Sequence, residues 1–416
     1  MSNKFFDAKE YTLDNGLKLV SIKRDSQLMS VHAGVKIGSL IEDREEKGTS
    51  HFIEHMLFKG TKNRTNEVLN SELEQIGGEY NAYTDYGATV YSISALGDEL
   101  DDSVKLLSDM LLNSIFPEDE LERERGVILA EIRTSKDDIE EYSFNRINEV
   151  AFLNSPLRYD VIGEEKNINA INVKKLVEFY EKYYIPNNCF ISIVSSREHE
   201  DVLNLVERYF NGWKCQELKE QAVIEEKNIP GCVISYKNDI EQSTLIYLYT
   251  FYGLTEYEEL VLRILNHRFG GSNNSILFRK LREERGLAYD IYSEVDTSNH
   301  VKTLSIYTSI SEDSVKEAIS IIDGCIDSII KKEIIFDDSS IELMKKVLKT
   351  AVASTLEDPM DLGNYVLHRS IEGENIYGFV EDMDRLKSIK REDIYIAAEN
   401  IFKNPTIHIL LPGKSE

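Results

Sequence analysis

Two histidines four residues apart stand in Ser50-His51-Phe52-Ile53-Glu54-His55-Met56-Leu57-Phe58, with a glutamate just before the second. On a helix that spacing places His51 and His55 on one face about one turn apart, which suits two imidazole ligands to one ion. Glu54 sits beside that face, where its carboxylate can reach a water at the metal without being a ligand. The chemistry this allows is hydrolysis: zinc lowers the pKa of its water to about 7, and a glutamate takes the proton as the oxygen attacks a peptide carbonyl. With 8 histidines in the whole chain, a chance match to HxxEH is uncommon. Taken alone, the pair still reads also as an ordinary satisfied or surface pair.

A catalytic zinc takes three protein ligands and keeps one position open, so a third His, Asp or Glu must come from elsewhere. The segment from Glu118 to Asp138 is helical in pattern and carries Glu124 and Glu131 seven apart, on one stripe with Val127 and Ile128. Carboxylates on an apolar stripe call for partners, because a buried charge is costly unless paired or metal-bound. Glu131 as ligand and Glu124 as a supporting or electrostatic group fit that need. A solvated acidic helix fits the segment as well.

These residues must be positioned by elements, and the elements come twice. Asp102-Ser103-Val104-Lys105 recurs as Asp313-Ser314-Val315-Lys316, and the same shift of 211 lays Phe58, Gly60 and Thr61 on Phe269, Gly271 and Ser272. Each half runs strand, helix, strand, strand, helix, with strands near Val31 to Ile37 and Leu245 to Phe251. The expected class is α+β, two related domains, each a mainly antiparallel sheet with helices packed on one face. The expected boundaries are residues 1–215 for the catalytic domain, a polar linker at 216–230, and 231–416 for the second domain. Under the shift, His51, Glu54 and His55 fall on Leu262, Leu265 and Asn266, and aligning Phe116 with Phe336 lays Ala351 opposite Glu131. The second half therefore has no metal site.

At 416 residues, 42% hydrophobic and 29% charged with 7 prolines, the chain has the composition of a globular protein of more than one domain. Its net charge of −26 disfavours nucleic acid and anionic membrane, both of which need a basic face, and favours cationic peptides if it is more than a solubilising surface. Four dispersed cysteines suggest free thiols in a reducing compartment. The N-terminal stretch lacks a signal-like apolar run, and no segment approaches the ~18 apolar residues of a membrane span. A cytoplasmic location is expected.

Together these residues resemble the pitrilysin, insulysin and mitochondrial processing peptidase family, the inverzincins, over nearly the whole chain. The resemblance is carried by Asn15-Gly16, Gly38-Ser39, the run from Gly48 to Thr61 around HxxEH, Gly77-Gly78-Glu79-Tyr80-Asn81-Ala82-Tyr83-Thr84, Pro186-Asn187-Asn188, Gly270-Gly271 and Arg282-Glu283-Glu284-Arg285-Gly286-Leu287-Ala288-Tyr289. It implies one zinc per chain held by His51, His55 and Glu131, Glu54 as base and Glu124 as assisting glutamate. It also implies Arg282 and Tyr289 as binders of substrate backbone and oxyanion. The expected activity is that of a metalloendopeptidase on unfolded peptides or precursor extensions. The peptide is expected to add as an extended strand to the edge near Asn81 and Ala82. The expected assembly is a homodimer or a heterodimer with a homologous chain, enclosing a chamber in which Arg282 and Tyr289 of one chain complete the other's site. The family's non-catalytic assembly subunits give the alternative. This chain departs from the family at Asn274-Ser275-Ile276-Leu277-Phe278 and Val194-Ser195-Ser196-Arg197, away from the metal residues.

Overall fold

The computed structural model describes residues 5–219 and 221–413. Residues 1–4 of the N-terminal stretch, Glu220 in the expected linker and the last three residues lie outside them. Eleven strands are described: β1 (Asp7–Thr12), β2 (Lys18–Lys23), β3 (Leu28–Val35), β4 (Glu79–Thr84), β5 (Thr89–Leu96), β6 (Cys189–Ser195), β7 (Gly231–Lys237), β8 (Ser243–Thr250), β9 (Ala288–Asp296), β10 (Thr303–Ile310) and β11 (Thr406–Pro412). The helices needed below are α1 (Thr49–Met56), α2 (Leu100–Asn113), α3 (Glu118–Asp137), α4 (Ile139–Ala151), α5 (His199–Phe210), α6 (Glu256–Phe269), α7 (Val315–Ile330) and α8 (Pro359–Glu372).

The strands form two sheets, ordered β1-β2-β6-β3-β5-β4 and β7-β11-β8-β10-β9. Apart from β1, the orders correspond strand for strand. Each sheet has a single parallel pair, β2 with β6 and β7 with β11, and is otherwise antiparallel. The repeat read from two short sequence matches is thus a repeat of topology, and the α+β class with related, mainly antiparallel domains holds. In each sheet the two strands that follow the first helical stretch, β4–β5 and β9–β10, form an adjacent antiparallel pair.

Each sheet has its own core. One gathers Leu19, Val31, Phe52, Ile53, Leu107 and Ile128; the other gathers Leu245, Leu265, Ile306, Ile322 and Leu386. Strand period decides which side chains enter it: Met29, Val31, Ala33 and Val35 of β3 face the main helical layer, while Ser30, His32 and Gly34 face the other way.

That other face takes one further helix, and here the expected boundaries are corrected. One compact unit comprises the chain up to Arg133, Tyr159–Ala222 and Val352–Gly378; the second comprises Thr134–Arg158, Val223–Ala351 and the chain from Phe379 onward. Only the crossing at 222/223 falls in the expected linker. Helix α8, from late in the sequence, packs on β3 and β6, where Ser192 Oγ donates to the Gly363 carbonyl (2.6 Å) and Ser30 Oγ to that of Pro359 (2.7 Å). A Cβ at Gly363 would lie 2.6 Å from His32 Nδ1, so glycine permits this close approach. In the second unit α4 packs on β8 and β11, with Ser143 and Thr244 hydroxyls 2.6 Å apart and Phe144 stacked near Tyr307. An amphipathic pattern says that a helix covers a sheet but not which one, so the sequence left this exchange unread.

All four cysteines are free thiols. Among the described residues, no helix is long and apolar enough to cross a membrane.

Candidate metal centre

Helix α1 begins at a constrained corner. Gly48 adopts φ +90°, and a Cβ there would lie 2.6 Å from the Ile162 carbonyl oxygen. The buried Glu42 carboxylate accepts from the backbone N–H groups of Gly48 (3.0 Å) and Ser50 (2.6 Å), satisfying donors that a helix start leaves open. Burial lifts the Glu42 carboxyl from 4.5 to about 7, against the opposing pull of those hydrogen bonds. Folded, it therefore holds a proton that the unfolded chain releases near 4.5, so its contribution to stability is full below 4.5 and is lost as pH rises through 7. The neutral Glu42→Gln variant lacks this dependence. Its unfolding midpoint, measured metal-free, should gain on that of the wild type between pH 5 and pH 8; a constant difference would refute the assignment.

Phe52, Ile53 and Met56 bury one side of α1, which leaves His51, Glu54 and His55 on the partly open side. Across from them runs α3, whose buried stripe is Leu121, Glu124, Ile128 and Ile132, with Glu131 flanking it. Val127, expected on the same stripe, is 44% exposed. The structure brings His51, His55 and Glu131 together: one donor atom from each lies within 4.8 Å of the others. Glu131 Oε2 is 3.8 Å from His51 Nε2 and 3.6 Å from His55 Nε2, too long for hydrogen bonds. These donors surround a gap instead of satisfying one another, and two nitrogens with one carboxylate oxygen are a donor set that zinc accepts. Burial, then the neighbouring His55, lowers His51 to about 4, so its ring is neutral at physiological pH, as a ligand must be.

The supporting contacts sort the two remaining glutamates. Burial raises the Glu54 carboxyl, although the Thr84 hydroxyl donates to its Oε2 at 2.6 Å. Glu124 lies behind His55: its Oε2 is 3.0 Å from His55 Nδ1 and its Oε1 is 2.8 Å from Lys59 Nζ. Burial raises the Glu124 carboxyl, but the bonds from His55 and Lys59 outweigh it and hold it low. An ionised Glu124 accepts a hydrogen bond from His55 Nδ1–H, which leaves the Nε2 lone pair for a metal. Of the roles left open for Glu124, the structure supports that of positioning a ligand.

Thr84 and Lys59 were not singled out by sequence. The signals were present: Lys59 lies four residues after His55, and Thr84 ends the segment that carries Asn81 and Ala82. Glu124→Ala should weaken zinc binding by roughly 10- to 100-fold, the usual cost of losing such support. Lys59→Met should act in the same direction, with recovery in Lys59→Arg; competition with a chelating dye would report both.

Strand β4 is an edge of its sheet. Asn81 is exposed, and its Oδ1 accepts the Ala82 N–H at 2.9 Å. Arg282 and Tyr289 belong to the other unit. Arg282 lies in a π-helical turn, Phe278–Glu283, its guanidinium 5.0 Å from the centre of the Phe278 ring; Tyr289, on β9, is 75% exposed. On α6, the counterparts of the metal residues are spent on packing: Leu262 and Leu265 are fully buried, and Asn266 exchanges hydrogen bonds with Ser293. Among the described residues there is one potential metal cluster, in the first unit.

Residues 19–165 match the family described as insulinase (peptidase family M16), and residues 170–348 match the peptidase M16 inactive domain. An uncharacterized zinc protease of Rickettsia felis is 30% identical, covering 96% of each chain. The beta subunit of the human mitochondrial-processing peptidase is 33% identical over 55% of this chain and 46% of its own length. The crystal structure of a protease from Helicobacter pylori has the same fold, with a TM-score of 0.88 at 22% identity, covering 98% of this chain and 100% of that one.

Proposed function

The chain belongs to peptidase family M16, the insulinase family, and from that premise we propose that it is a zinc-dependent endopeptidase acting on unfolded peptides or precursor extensions. The observation that carries this reading is the convergence of His51, His55 and Glu131 beside Glu54, whose carboxyl feels the charges of His55 and Glu131. Zinc held there would supply a Lewis acid that acidifies water and polarises a peptide carbonyl. The protein's own groups do the rest. Glu54, oriented by Thr84, takes a proton from the attacking water and returns it to the leaving amine, and Glu124 keeps the His55 ring in place.

The substrate adds as an extended strand to the outer edge of β4, so that main-chain hydrogen bonds give affinity and reading is by shape more than sequence. The −26 charge favours cationic segments. A second chain, identical or homologous, closes the site with its Arg282 and Tyr289. The match of residues 170–348 to an inactive domain favours one other reading, a non-catalytic subunit of a heteromeric peptidase.

Turnover of an unstructured fluorogenic peptide, with and without chelator, separates the two readings. Chelator-sensitive cleavage is the expected result; no cleavage by the zinc-loaded protein would leave the subunit reading standing. For the two-chain site, mixing Glu54→Gln chains with Arg282→Ala chains should restore part of the activity that each lacks. No recovery despite demonstrated subunit exchange would place Arg282 action within one chain.

A further inference from the structure

Strand β4 bears both the substrate edge and Thr84, yet within its sheet it is held by one neighbour, β5. Alternation sends its side chains to two faces. On one face Thr84 meets Glu54, and the Tyr80 ring lies 6.3 Å from that of Phe58, just beyond α1. On the opposite face Tyr83 meets α8: its hydroxyl is 2.6 Å from Asn364 Oδ1 and 2.7 Å from His368 Nε2, and its ring stacks on the imidazole. Asp85 Oδ2 lies 3.9 Å from the same nitrogen.

Asn364 and His368 are four apart, so they project together from one side of α8. The phenol has one proton, so both short contacts are satisfied when Tyr83 donates to Asn364 and His368 donates from Nε2. The helix itself is anchored on the sheet's central strands by the Ser30 and Ser192 bonds and by buried Leu367 and Ile371.

We infer that Asn364 and His368, acting through Tyr83, are positioning residues for the hydrolytic site: they hold β4 from the face opposite the metal cluster, and so fix Thr84 and the orientation of Glu54. The catalytic part of this inference rests on the hydrolysis reading above; the tether itself does not.

Tyr83→Phe keeps the ring and removes both hydrogen bonds. Deuterium exchange of the β4 amides should rise about tenfold, the equivalent of about one net hydrogen bond. On the same unstructured peptide kcat should fall by a similar factor, while zinc affinity stays within about twofold. Asn364→Asp, which keeps the acceptor, should retain wild-type kcat, whereas Asn364→Leu should match Tyr83→Phe. Unchanged β4 exchange in Tyr83→Phe would overturn the inference, as would equal damage from Asn364→Asp and Asn364→Leu, or a parallel loss of zinc affinity. If the wild type cleaves nothing, the hydrolysis reading fails and exchange alone decides the tether.

Discussion

Replacing Glu54 with glutamine should reduce peptide hydrolysis by about a thousandfold, within the range for loss of a positioned general base, and leave zinc at one per chain. The side chains are nearly isosteric, and the amide oxygen of glutamine can still accept the Thr84 hydroxyl bond that Glu54 Oε2 accepts at 2.6 Å. Burial already raises the Glu54 carboxyl, so a neutral side chain should not cost the fold. What is lost is the capacity to take a proton. Residual turnover above about a tenth of wild type would exclude Glu54 as the base, because a base contributes at least about 10².

Glu131→Ala should cost more zinc affinity than any supporting residue, exceeding the roughly 10- to 100-fold expected for Glu124→Ala, and hydrolysis should fall with it. The ordering follows from position. Glu131 offers its oxygen to the gap between two imidazole nitrogens at 3.6 and 3.8 Å, whereas both Glu124 oxygens are engaged by His55 and Lys59. With two histidines alone, the metal loses its only charged protein ligand. Zinc affinity measured in both variants by chelator competition tests the ordering, and a Glu124→Ala loss larger than that of Glu131→Ala would reverse the roles.

How much of this was legible depends on the distance over which each residue acts. The spacing of His51, Glu54 and His55 is a property of one helical turn, so it was readable directly. Glu131 was reachable because its helix carries acids on a buried stripe, although the sequence placed Val127 there as well. Thr84 and Glu42 act through contacts that no periodicity prints, a strand end on a helix and a loop carboxylate under a helix start, whereas the spacing of Lys59 from His55 is visible but does not say that Glu124 lies between them. Helix α8 was hidden for a stronger reason. Nothing in the spacing of Asn364 and His368 says what they face until the sheet beneath the helix, and the Tyr83 hydroxyl, are placed. The strand, helix, strand, strand, helix order of the second unit was legible from the repeat, but not the place of β11 between β7 and β8; Leu262 and Leu265, which stand where the metal residues would, are buried as core.

The central claim is that His51, His55 and Glu131 form one hydrolytic zinc site per chain. Titrating the metal-depleted protein with zinc while following cleavage of an unstructured peptide tests it directly. The account predicts activity that rises with added zinc and levels off at one equivalent per chain, with no rise in a His51→Ala, His55→Ala variant. Cleavage that persists after zinc is removed, or that the double variant retains, would contradict it.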